Sequence, residues 1–136
     1  MKGILADINV VGPVGSLVRQ MQTPEWIEIW ISLNIEFKHF DDVGLYADSA
    51  DLEIWQTCQA EELVLVTDNR NRDSEESLEA AIRKHNHPNC LPVFTISSMS
   101  RFKTSREFAE KVLEDLFDYL LRIDEVRGTG RLYLPQ

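Results

Sequence analysis

Basic residues are scarce in this 136-residue chain, and its apolar runs are short. Fourteen Lys and Arg stand against 23 Asp and Glu, which leaves a formal charge of −9 at pH 7. Proteins that grip phosphate backbones or anionic lipid over a broad surface use clustered Lys and Arg, so this balance argues against such a surface. No apolar run reaches 18 residues, and Asp7 interrupts the first run before a signal-peptide core can form. The sequence therefore predicts a cytoplasmic protein without membrane segments.

Cysteine and glycine are also rare, at two and six residues. Without a secretory signal we expect Cys58 and Cys90 to be reduced, with Cys58 in the core. The sequence contains no Gly-rich phosphate loop, internal repeat or Gly/Ser/Pro linker. Its apolar residues, 43% of the chain, suffice for one core, so we expect residues 1–136 to form a single domain.

Short apolar runs alternate with helical patterns along the chain. Runs that predict strands lie at 4–6, 35–40 (an edge strand), 63–67 and 91–96, and the tail at 131–134 either packs or adds a final strand. Helical patterns lie at 16–21 after a turn at 12–15, at 25–33, at 51–60 with Ser49 or Asp51 as cap, at 74–84 and at 105–123. This alternation is typical of a three-layer α/β/α sandwich with a mainly parallel central sheet.

Acidic residues follow two of the predicted strands. Asp7 comes directly after the first strand, and Asp68 comes directly after the strand at 63–67. Because the carboxyl ends of parallel strands meet at one edge of a sheet, we expect both side chains there. Asp51 opens the helix before the second of these strands, and Asp73 lies five residues beyond Asp68. Each acid alone also fits a turn residue, a helix cap or a solvated loop acid, so only the combination is informative.

Converging carboxylates repel one another unless protons, arginines or a hard cation neutralise them. Mg²⁺ or Mn²⁺ prefers oxygen donors of this kind, and such a cation can activate water and stabilise charge on a phosphoryl group. The pattern therefore predicts a metal site for phosphodiester cleavage. We expect Asp7, Asp51 and Asp68 to be metal ligands and catalytic residues, and Asp73 to be an auxiliary catalytic residue.

Polar and basic residues lie beside these acids in the sequence. We expect Asn69, Arg70 and Arg72 to bind substrate, although the two guanidinium groups could equally pair with the carboxylates and replace the metal. A second segment at 98–106 holds three cations and no acids. For this segment a solvated approach to the following helix is favoured over a surface that binds a nucleic-acid strand.

Three segments carry a resemblance to a known family. They read I-L-A-D-I-N-V at 4–10, D-L-E-I-W at 51–55 and E-E-L-V-L-V-T-D at 61–68. In this order they resemble the PIN-like nuclease superfamily, and within it small proteins with D-E-N near the start, then D-x-x-I-W and V-L-V-T-x-D. The resemblance implies a PIN-like fold and Mg²⁺- or Mn²⁺-dependent cleavage of RNA by Asp7, Asp51 and Asp68, with Asp73 as a fourth acid. It also implies an antitoxin-like protein partner, since toxins of toxin–antitoxin pairs belong to this superfamily.

The chain departs from the family pattern at three places. Ile8 stands where the small relatives carry Glu, and Asp68 follows Thr67 without the usual intervening residue. The stretch 68–79 is longer and richer in Asn and Arg than the usual D-x-D-F. These departures support an alternative, a catalytically degenerate PIN-like scaffold that binds a protein or forms a homodimer through its helices.

Overall fold

The computed structural model describes residues 1–70 and 76–136. Within these residues one sheet contains five strands, β1 Gly3–Ala6, β2 Glu36–Lys38, β3 Leu63–Thr67, β4 Val93–Ile96 and β5 Arg131–Leu134. All neighbouring strands are parallel, and their order is β2-β1-β3-β4-β5. The predicted parallel α/β architecture is therefore confirmed, and the tail forms the final strand.

Burial along the strands explains their composition. Every residue of β1, β3 and β4 is buried, whereas β2 and β5 at the two edges are partly exposed. A parallel strand covered by helices on both faces needs apolar side chains in both directions, and the continuous runs at 3–6 and 63–67 supply them. The alternating segment at 35–40 is an edge strand as predicted, although only Glu36–Lys38 pairs.

Helices cover both faces of the sheet. They are α1 Val11–Met21, α2 Ile27–Leu33, α3 Asp51–Ala60, α4 Leu78–His85, α5 Met99–Thr104, α6 Arg106–Leu121 and α7 Ile123–Val126, with short 3-10 helices at Ile8–Val10 and Phe40–Val43. Helices α1 and α6 pack with Ile4, Val66 and Phe94 in one core cluster. Helices α3 and α4 pack with Leu5 and Leu65 in the other. The three-layer arrangement thus agrees with the prediction.

Several helix boundaries differ from those predicted. The expected turn at 12–15 instead lies inside α1. Pro13 is the third residue of this helix, where a backbone N–H has no partner within the helix, so the lack of an N–H in proline costs no helical hydrogen bond. The expected capping role of Ser49 or Asp51 is wrong, because Ala50 occupies the N-cap and makes no side-chain cap bond. Helix α6 ends at Leu121 rather than at residue 123, and α7 follows it.

The crossover from β4 to β5 differs in hand from the others. Helix α1 leads from β1 to β2, whereas α6 leads from β4 to β5 in the opposite direction along the sheet, yet both pack on the same face. Because α3 and α4 cross the other face, the last connection has the opposite hand to the three before it. Such mixed handedness is rare, and here it brings the apolar stripe of α6 against α1.

Among the described residues, no helix is both long and apolar enough to cross a membrane.

Candidate functional site

The crevice between β1 and β3 is the switch point of the sheet. The chain leaves β1 toward β2 on one side, and β3 lies on the other side of β1. Connections that diverge in this way open a crevice beyond the carboxyl ends of the strands, where open α/β sheets bind ligands. Asp7 follows β1 and Asp68 follows β3, so both sequence-predicted acids lie at this edge. Asp51, the first residue of α3, joins them from the helix layer.

Asp7 is the most buried of these acids, with 8% of its surface exposed. Its backbone N–H donates to the carbonyl of Val66 at 3.0 Å, which continues the pairing of β1 with β3. The hydroxyl of Thr67 donates to Asp7 Oδ2 at 2.6 Å. Burial raises the pKa of Asp7, the bonds from Thr67 and from the Asn9 backbone oppose that rise, and the charges of Asp51 and Asp68 add to it. The side chain of Asp7 is thus desolvated and fixed by hydrogen bonds, and it interacts electrostatically with Asp51 and Asp68.

Asn69 connects the parts of this site. Its backbone N–H donates to Thr67 Oγ1 at 3.0 Å, so one hydroxyl joins the loop after β3 to Asp7. Its side-chain amide lies 3.4 Å from Asp51 Oδ2 and is oriented to donate to it. Asn69 was predicted to bind substrate, and in the structure these contacts tie it to the acids; its predicted role toward substrate stays a prediction.

The donor set suits a hard divalent cation, because all three acids offer carboxylate oxygens. Across residues 1–70 and 76–136, however, no three His, Cys, Asp or Glu side chains lie close enough together to enclose a metal ion. Mg²⁺ in proteins is often held by one or two carboxylates, with water and substrate phosphate completing its shell. The described residues therefore form no closed metal cage, and a cation bound here would need water and substrate to complete its shell.

The remaining predicted residues differ in how far they can be described. Arg70 is exposed at the end of the described loop. Asp73 and Arg72 lie outside the described residues, so the catalytic role of Asp73 and the substrate-binding role of Arg72 stay predictions. Most of the basic segment at 98–106 forms α5, Met99–Thr104, where Arg101 and Lys103 are solvent-exposed. Exposure fits both interpretations of this segment, so the choice between them stays a prediction.

Sequence reasoning missed a second group of polar residues beside the acids. The guanidinium of Arg131 on β5 donates from Nη1 to the carbonyl of Asn69 at 2.7 Å and to Thr95 Oγ1 at 2.6 Å. Its Nε lies 3.0 Å from Glu79 Oε2 on α4. Thr95 pairs in register with Thr67, and each is a buried polar residue near the end of an apolar strand. A threonine near the end of both strands was the available signal, whereas nothing in the sequence pointed to Arg131.

Comparison with known proteins adds no family assignment. No family model, characterised protein or solved structure matches the chain. What the chain shows is a five-stranded parallel α/β fold, and any narrower assignment depends on the residues at its strand ends.

The thiol of Cys58 is strongly desolvated on α3, the helix that begins at Asp51 of the candidate site. It is buried on α3, as predicted, and both cysteines are free thiols. Burial, with a further contribution from the charge of Asp7, raises the pKa of Cys58 to about 12. Since only the thiolate attacks disulfides, we expect the native protein at pH 8 to react with a thiol-specific disulfide reagent on the order of a hundredfold more slowly than the urea-unfolded chain. A Cys90→Ser variant isolates Cys58, and equal native and unfolded rates in that variant would contradict its burial.

Proposed function

We propose that the chain is a PIN-like, divalent-metal-dependent nuclease that cleaves RNA. The observation that carries this proposal is the buried Asp7 at the switch point, with Asp51 and Asp68 within electrostatic reach. Buried carboxylates that repel one another are destabilising unless something neutralises them, and clusters of this kind mark functional sites. The ordered sequence resemblance over β1, α3 and β3 supports the same assignment.

The described residues have distinct roles in this proposal. Asp7, Asp51 and Asp68 would bind Mg²⁺ or Mn²⁺, one or two of them directly and the rest through water in its shell, and the bound cation would supply an activated water and stabilise charge on the phosphoryl group. Thr67 fixes the carboxylate of Asp7 through its hydroxyl, and Asn69 contacts Asp51. Arg70 is exposed two residues after Asp68, and its guanidinium would contact a phosphate of the substrate. Asp73 and Arg72 keep the auxiliary roles predicted from sequence, and an antitoxin-like protein partner belongs to the same proposal.

The test is cleavage of labelled single-stranded RNA with Mn²⁺, with Mg²⁺ and with EDTA. We expect cleavage with either cation, loss of cleavage in EDTA and recovery when Mn²⁺ is returned in excess. Asp68→Asn is expected to lower the rate by about a hundredfold or more, because it removes a proposed metal ligand. Asp48→Asn is the matched control, since Asp48 is an exposed acid in the same acidic segment, which runs from Asp41 to Asp68 without a Lys or Arg.

Two results would contradict the assignment. Cleavage that persists in EDTA would show that the reaction does not require a divalent cation. A wild-type rate in Asp68→Asn would remove this acid from the site. An unchanged rate in Asp48→Asn shows that any loss in Asp68→Asn is not a general effect of reducing negative charge.

A second candidate function is a catalytically degenerate scaffold that binds a protein or forms a homodimer. It is favoured by one observation, that no three potential ligands in the described residues enclose a metal ion. A groove of about 830 Å³ between α1 and the α5–α6 pair offers a docking surface, with Trp26, Phe102 and Leu113 among its lining residues. This candidate predicts no change in melting temperature with millimolar Mn²⁺, whereas a cation bound by the native state alone raises it.

A further inference from the structure

Arg131 joins the last strand to the loop that follows β3. Its side chain is 6% exposed, and Nη1 donates to both the carbonyl of Asn69 and the hydroxyl of Thr95. Nε faces the carboxylate of Glu79, whose side chain is 30% exposed. One guanidinium therefore ties β5, β4, α4 and the loop at 68–70 together.

Hydrogen bonds of Asn69 connect Arg131 to the acids of the candidate site. Its carbonyl accepts from Arg131, its N–H donates to Thr67, and its side-chain amide faces Asp51. The hydroxyl of Thr67 in turn donates to Asp7. A continuous chain of hydrogen bonds thus runs from Arg131 through Asn69 and Thr67 to Asp7.

We propose that Arg131 is a positioning residue of this site, which fixes the backbone of Asn69 and through it the placement of Asp7 and Asp51. The inference rests on the proposed function for its catalytic consequence, although the positioning itself is a property of the fold. Arg131 makes no contact with these carboxylates, so it acts through Asn69.

The chemistry of the guanidinium suits this role. Its planar fork presents several donors in fixed directions, so it holds a carbonyl, a hydroxyl and a carboxylate at once, which the single ammonium of a lysine does not reproduce. Nη2 is buried and has no hydrogen-bond partner among the described residues. A buried donor without a partner costs stability, which agrees with a role for Arg131 in fixing positions and not in net stabilisation.

Arg127 provides a matched control within the same part of the chain. Its Nε lies 2.8 Å from Asp124 Oδ1, and its Nη1 donates to the carbonyl of Asn89 at 2.9 Å. It therefore makes the same kinds of contact, to one carboxylate and one backbone carbonyl, but at a place away from the loop at 68–70. Arg127→Met removes these contacts without touching the proposed chain of bonds.

The experiment compares Arg131→Met, Arg131→Lys and Arg127→Met with the wild type. Three quantities are measured, namely kcat and KM on labelled RNA with Mn²⁺, the Mn²⁺ concentration at half-maximal rate, and amide hydrogen exchange at Asn69. We expect Arg131→Met to lower kcat by about tenfold or more, to raise the Mn²⁺ requirement, and to leave KM for RNA within about twofold. Exchange at Asn69 is expected to accelerate by about tenfold, because its carbonyl anchor is lost. Arg127→Met should leave all three quantities at their wild-type values.

Arg131→Lys separates positioning from stability. It keeps the charge opposite Glu79, so it should restore most of the melting temperature lost in Arg131→Met, but neither kcat nor the protection of Asn69. If kcat and Asn69 exchange in both Arg131 variants equal those of the wild type, Arg131 is structural only and the inference is wrong. If Arg131→Met does not fold, Arg131→Lys alone decides the question by the same two measurements. If the wild type does not cleave RNA, the proposed function fails, while Asn69 exchange still tests the positioning.

Discussion

Replacing Asp7 by Asn is expected to reduce RNA cleavage strongly and, at neutral pH, to stabilise the fold. The loss of cleavage, by about a hundredfold or more, follows from removal of the central proposed metal ligand. The gain in stability follows from burial, because a neutral amide avoids the cost of desolvating a charge beside Asp51 and Asp68. Asn also keeps an oxygen that can accept the hydrogen bond of Thr67. We expect a gain of about 1 kcal/mol, which is ordinary for substitutions that relieve a functional site.

The gain in Asp7→Asn should depend on pH in a defined direction. The pKa of Asp7 is raised in the folded state, so the folded wild type binds this proton more tightly than the unfolded chain. The wild type therefore loses stability as the pH rises from the ordinary aspartate value of 3.8 through the raised folded value. Asn does not titrate, so its advantage should be near zero below that window and complete above it.

Urea unfolding of both proteins at pH 4 and pH 7 measures this difference, with Asp48→Asn as the control for an exposed acid. Addition of Mn²⁺ should stabilise the wild type and not Asp7→Asn, since only the wild type keeps the proposed ligand. A variant that is less stable than the wild type at pH 7, or one that is stabilised equally by Mn²⁺, would contradict the role given to Asp7.

Phe94→Ala is expected to produce the largest loss of stability among simple core substitutions. Phe94 is fully buried on β4 and packs against Tyr119 of α6, with ring centroids 5.6 Å apart. Truncation removes the transfer free energy of the ring and leaves a cavity between sheet and helix, which together cost about 3–5 kcal/mol. Domains of this kind are stable by about 5–15 kcal/mol, so the variant should unfold at a much lower urea concentration.

Phe102→Ala on α5 is the matched control for Phe94→Ala. Phe102 is only partly buried at the margin of the same core cluster, so the loss should be about 1 kcal/mol. Equal losses in the two variants would mean that α6 does not form the tight second layer over the sheet. The comparison therefore tests the packing of α6 against β4.

The strands were predictable because burial on two faces leaves a clear mark on composition. A run such as Leu63–Thr67 has apolar side chains throughout except for its last residue, and only the middle of a covered parallel sheet accommodates that. Asp7 and Asp68 were predictable for a related reason, since a polar residue directly after such a run must lie at the strand end. The helix starts were less predictable, because Pro13 and Asp51 each fit more than one position near an N-terminus.

Arg131 could not be found from the sequence, because its partners are distant in the chain. Asn69 and Thr95 meet it only when β3, β4 and β5 are adjacent, and Glu79 meets it only when α4 covers that face. The pattern of α6 also does not specify the face of the sheet on which it packs, since one apolar stripe fits either layer.

Local chemistry in the sequence was enough to predict four of the five strands, the parallel α/β class and the acids at the strand ends, whereas the tail at 131–134 was left open between packing and a final strand. These features depend on neighbouring residues and on whether a segment is buried, and the order of apolar and polar residues along the segment indicates both. Tertiary structure alone decided the strand order, the hand of the last crossover and the link from Arg131 through Asn69 to Asp7. Hydrogen bonds between residues some 60 positions apart, as in Thr67 with Asp7, exist only after the sheet has assembled, so no local pattern records them.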